Sequence, residues 1–152
     1  AMDVRAVAEA GGGAPWVGMP AGTVLGHVHL HVASLEEARA FYHDVLGLDL
    51  MVWSYPGALF FSAGGYHHHL GTNTWAAGQP SAAADEARLI DWEIVLPDAA
   101  SVGAARASLV GSGYLPVDAP GGWTAADPWG TKVLVTVGGR RLAVGSVRLA
   151  VR

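Results

Sequence analysis

The 152-residue chain contains no cysteine. Disulfides, thiolate metal sites and cysteine nucleophiles are therefore excluded together, and any metal must be held by nitrogen and oxygen. Lysine occurs once, as Lys132, and basic residues never cluster into a run. A surface that tracks phosphates needs a dense basic stripe, so nucleic acid is not an expected partner; the formal net charge of −4 agrees. No apolar stretch reaches the roughly 18 residues that a membrane span requires. No basic start followed by an unbroken apolar stretch marks a signal peptide, so the cytoplasm is the expected compartment. Charged residues are scarce, at 14%, whereas hydrophobic residues reach 51%. Such a chain can fill the core of one domain and is not a disordered tail.

The pattern that is present is a repeat. Residues 25–32 alternate, with Val28, Leu30 and Val32 on one face and His27, His29 and His31 on the other, as in a half-buried strand. Ser34 and Glu37 form a capping box ahead of a helix over residues 35–46, which Gly47 ends. Strands follow at 48–53, 58–63 and 66–72, with turns at Pro56-Gly57 and Gly64-Gly65. A shift of 64 positions carries Val32 onto Leu96, Ser34 onto Asp98 and Gly47 onto Gly111. The second unit accordingly has a strand at 89–96, a helix over 99–110 and strands at 115–117, 123–126 and 132–137. The fold class is α+β, with two βαβββ modules, 22–75 and 88–137, whose curved mixed sheet surrounds a cleft. Residues 1–21 read as a linker or arm with one helical turn near 4–10. Residues 138–152 read as an extension that adds an edge strand. Both ends carry unpaired backbone, so at least one is expected to pack on the core or on a second copy, the latter giving a homodimer.

All seven histidines lie between positions 27 and 69. Strand parity places His27, His29 and His31 on the cleft face. With Leu70 facing the helix, the same argument sends His67 and His69 to the cleft and His68 to the back of the sheet. Imidazole is a common ligand for zinc, iron, manganese and nickel, so a divalent metal ion is the expected cofactor. The repeat offset lands His27 on Asp91 and His29 on Glu93, two carboxylates on one strand face. Two histidines and a carboxylate form the facial set of non-haem iron, and they also suit zinc. The plainer alternative is that these histidines bond neighbouring backbone or face water. His43, on the helix, reads as a surface residue. Asn73 and Trp75 leave the fourth strand at the cleft mouth, where they serve as substrate contacts or, more plainly, as a turn residue and a core aromatic. Asp127-Pro128-Trp129-Gly130 is a turn.

The segments Gly26-His27-Val28-His29-Leu30-His31-Val32, Phe41-Tyr42 with Val45-Leu46-Gly47, Ala63-Gly64-Gly65-Tyr66-His67-His68-His69, Asn73-Thr74-Trp75 and Asp127-Pro128 resemble the vicinal oxygen chelate superfamily. That group comprises glyoxalases, bleomycin-resistance proteins and extradiol dioxygenases. The resemblance spans residues 20–137 and is strongest to the C-terminal half of catechol 2,3-dioxygenase-like proteins. It implies the paired βαβββ fold and a divalent metal at the first and fourth strands of each unit, at positions His27, His69, Asp91 and Leu134. Leu134 stands where enzymes of the group carry glutamate, so His27, His69 and Asp91 remain as the implied ligands, with Glu93 as a substitute ligand or substrate contact. His29 or His67 is the candidate acid or base. Three functions fit: a metal-dependent enzyme acting on a small catechol-like oxygen chelator, a metal-free small-molecule binding or resistance protein, or one half of a longer dioxygenase-like protein.

Overall fold

The computed structural model describes residues 2–13, 15, 17–83 and 85–138, together with the backbone of 143–150. Helix α1, Val4–Ala10, is capped by Asp3, and every one of its residues is exposed. The first unit then runs β1 (Val28–His31), α2 (Leu35–Arg39, continued by a π-helical stretch, Ala40–Val45), β2 (Asp49–Val52), β3 (Ala58–Ser62) and β4 (Leu70–Asn73). The second runs β5 (Arg88–Leu96), α3 (Ala99–Gly111), β6 (Val117–Ala119), β7 (Gly122–Ala126) and β8 (Lys132–Val137). Strand β9, Ala143–Ala150, follows and pairs antiparallel with β5. The rest of the expected tail, 139–142 and 151–152, lies outside the described residues.

Each unit forms its own mixed sheet, in the orders β1-β4-β3-β2 and β6-β7-β8-β5-β9. The first strand of each unit pairs parallel with the last, which requires the intervening helix as crossover. Helix starts follow the sequence closely. Ser34 Oγ accepts the Glu37 N–H at 3.2 Å, and Asp98 accepts the Ser101 N–H at 2.7 Å. The π-helical stretch was not expected from periodicity. Phe41 and Tyr42 share the inward face with Ala38, and all three are fully buried.

One core spans both units. It takes Val28, Leu30, Phe41, Tyr42, Phe61 and Leu70 from the first, and Trp92, Ile94, Trp123, Val133 and Val135 from the second. Two polar contacts orient the helices on it. Trp123 Nε1 donates to the Val102 carbonyl of α3 at 3.0 Å. Tyr42 Oη donates to Asp127 Oδ2 at 2.8 Å, joining the first unit's helix to the β7–β8 turn of the second.

Close strand packing also explains Gly122. A Cβ there would lie 1.8 Å from the Val135 carbonyl oxygen of the paired strand β8. Gly122→Ala should therefore push β7 away from β8 and cost about 2–3 kcal/mol. Urea denaturation checks this; a variant with an unchanged midpoint would contradict the observed strand spacing.

Candidate metal centre

The largest departure from the sequence reading lies ahead of β4. The strand expected over 66–72 begins only at Leu70. Gly64 and Gly65 both adopt left-handed backbone, with φ of +64° and +76°, and the residues that follow, 66–69, form an irregular connection. The parity rule applies to a strand and therefore does not govern His67, His68 and His69. His68, expected at the back of the sheet, is half-buried, with its ring 5.0 Å from Phe60, 4.6 Å from His27 and 4.5 Å from His67. Phe60 pairs with Gly71, and Gly71 pairs with His29, so this is the face turned away from the core.

Among the described residues, the group of three histidine, aspartate or glutamate side chains whose ligand atoms all lie within 4.8 Å of one another is His27, His67 and His68. His69 and Asp91 fall outside it. His69 is buried; its Nδ1 lies 2.9 Å from Ser62 Oγ, and the Tyr66 ring covers it at 4.6 Å. Asp91 is buried on β5, at the level of Lys132 in β8. Glu93 is half-buried and accepts the Thr136 hydroxyl at 2.6 Å, level with Leu134. The two carboxylates do share one face of β5, opposite the core residues Trp92 and Ile94.

Three imidazoles with no carboxylate among them suit zinc, nickel, iron or copper better than the oxygen-seeking magnesium or calcium. Ligation needs neutral rings. Burial lowers the His68 pKa, and repulsion from His27, His67, His29 and His69 adds to the effect. His29 is lowered in the same way, first by burial, then by His27 and His31. The donor set therefore fits a divalent metal.

An aromatic wall adjoins the imidazoles. The His29 ring lies 6.0 Å from Phe60, edge-on, and 5.9 Å from Trp75. Tyr55 stands 6.0 Å from Phe60 and 6.4 Å from Trp75. Trp75 is 61% exposed, which corrects its plainer reading as a core aromatic. Asn73, by contrast, is buried and holds its amide against His29 at 2.7 Å. His43 contacts the Leu48 carbonyl at 2.6 Å and stays near the surface. Ser62 and Tyr66, the partners of His69, had no signal in the sequence beyond their nearness to the glycine pair. A cavity of about 420 Å³, bordered by Val45, Leu46, Ile94, Leu96 and Ala105, lies on the helix side between the units; no histidine lines it.

Paired βαβββ units with imidazoles grouped on the helix-free face define a protein of the vicinal-oxygen-chelate architecture. The chain belongs to the glyoxalase/bleomycin resistance protein/dioxygenase superfamily, whose profile matches residues 24–133. It is 46% identical over 100 residues to a catechol-2,3-dioxygenase of Bacillus subtilis (strain 168), a match covering 64% of this chain. The match spans only 35% of that enzyme's length. A lactoylglutathione lyase structure from Agrobacterium tumefaciens superposes with TM-score 0.57 at 22% identity, covering 78% of this chain and 96% of the other. An integron cassette protein from the Halifax Harbour sewage outfall metagenome gives TM-score 0.59 at 15% identity, over 75% and 97% of the two chains. These solved structures share the fold.

Proposed function

We propose that the chain is a metal-dependent enzyme of the glyoxalase/dioxygenase type that acts on a small ligand with two adjacent oxygens, a catechol-like diol being the first candidate. The observation that carries this reading is the grouping of His27, His67 and His68 beside an aromatic wall. A divalent metal bound there would supply Lewis-acid polarisation of the chelated oxygens, or oxygen activation if it is iron. His27, His67 and His68 would hold it. Phe60 and Trp75 offer flat apolar surface to a planar ring. The ligand set implied by the family resemblance, His27, His69 and Asp91, shares its first member with this group. The 46% identity to a catechol-2,3-dioxygenase supports the substrate class.

The experiment is a calorimetric titration of the purified chain with zinc and with ferrous iron, followed by 4-nitrocatechol. One metal per chain, and catechol binding only after metal, are expected. Catechol binding of equal strength without metal would favour the metal-free binding protein instead. Among the described residues no helix is long and apolar enough to cross a membrane.

A further inference from the structure

Asn73 is only 2% exposed. Its Oδ1 accepts the backbone N–H of Trp75 at 3.1 Å. A backbone N–H can only donate, so the amide has a single workable orientation. Its Nδ2, which can also only donate, then faces His29 Nε2 at 2.7 Å. The nitrogen receiving that bond must carry a lone pair, so the neutral ring has its proton on Nδ1. Backbone geometry fixes the ring as well. Gly71 stands opposite His29 in the β1–β4 pair, and a Cβ there would lie 2.7 Å from His29 Nδ1 and 2.9 Å from its Cε1. The ring can rest over this position only because residue 71 has no side chain. Among the described residues Nδ1 has no hydrogen-bond partner of its own.

We infer that Asn73 is a positioning residue that locks His29 as its Nδ1–H tautomer, and that this N–H donates to an oxygen of the ligand bound at the imidazole group. The ligand half of this inference rests on the proposed function; the tautomer half does not. With Nε2 engaged by Asn73, His29 recognises the ligand as a donor, and the acid or base role suggested by its sequence position does not fall to Nε2. The acceptor it selects is a carbonyl or phenolate oxygen on a planar body that fits against Phe60 and Trp75, which flank the same ring.

The tautomer is read by nitrogen-15 NMR of histidine-labelled, metal-free protein at about pH 8, above the free-imidazole pKa of about 6.5. The wild-type chain should show His29 protonated on Nδ1 and bare on Nε2. Asn73→Asp keeps an acceptor for the Trp75 N–H but presents His29 with a second acceptor, so the tautomer should reverse to Nε2–H. Gly71→Ala leaves Asn73 intact and displaces the ring, so His29 should relax to the mixture rich in Nε2–H that free imidazole adopts. A wild-type His29 protonated on Nε2, or an unchanged tautomer in both variants, would overturn the inference. In zinc-loaded protein, Asn73→Asp should weaken 4-nitrocatechol binding about tenfold while zinc binds as before; undiminished catechol binding would remove the donor role. Failure of the wild-type chain to bind zinc would count against the metal-dependent function alone, because the tautomer is measured without metal.

Discussion

Replacing His27 with alanine should abolish divalent-metal binding by the purified chain, a loss of at least about a hundredfold in affinity. His27 is the one residue common to the group assembled in the structure and to the set implied by the family resemblance. The other histidines separate the two. In the structure the His68 ring lies 4.6 Å from that of His27, whereas His69 is engaged with Ser62 under Tyr66. His68→Ala should therefore lose metal nearly as completely as His27→Ala. His69→Ala should keep metal and instead lose stability, because removing a buried side chain strands the Ser62 hydroxyl. Zinc titration with a parallel urea series distinguishes these outcomes. Metal lost from His69→Ala and Asp91→Ala but kept by His68→Ala would return the site to the implied set.

Asp127→Ala should destabilise the fold by about 3–4 kcal/mol without touching the imidazoles. Asp127 is buried at the start of the β7–β8 turn. Its Oδ2 accepts the Tyr42 hydroxyl, and its Oδ1 accepts the backbone N–H groups of Trp129 at 3.0 Å and Thr131 at 2.8 Å. Alanine would leave all three donors without their partner, one of them the hydroxyl of a fully buried tyrosine. Tyr42→Phe removes one of these bonds and should cost about 1–2 kcal/mol. Burial raises the Asp127 pKa, against the opposing effect of the Tyr42 and backbone hydrogen bonds. Its protonated form therefore contributes stability that is full below the ordinary aspartate value of about 3.9 and is lost as pH rises through the higher folded value. Asp127→Asn cannot ionise and lacks this slope. Its deficit relative to the wild-type chain should be larger near pH 4 than near pH 7, in urea melts at the two pH values; a deficit that grows with pH would contradict the assignment. Tyr42 is held well above the ordinary tyrosine range by burial and by the neighbouring carboxylate. Its share of the stability is complete below about pH 10 and is lost in more alkaline solution.

The repeat was legible because each unit obeys local rules. Val28 and Leu30 alternate with histidines in β1, Ser34 and Asp98 cap their helices through side-chain oxygens, and β8 occupies the residues its alternation indicates. The π-helical stretch was not legible, because Ala38, Phe41, Tyr42 and Val45 already read as one inward face of an ordinary helix and nothing in that spacing signals a wider turn. The buried role of Asp127 was also hidden: its partner Tyr42 lies 85 positions away, and a turn signal says nothing about what its side chain reaches.

The sequence by itself determined the order of elements, the exclusion of thiolate chemistry and the concentration of histidines in two short stretches, since these depend on composition and short-range patterning. Tertiary structure decided which histidines meet. Two left-handed glycines delay β4 to Leu70, which frees His67 and His68 from strand alternation and brings them to His27, while His69 turns to Ser62. Parity is a property of regular strands, and it fails where the backbone stops being one.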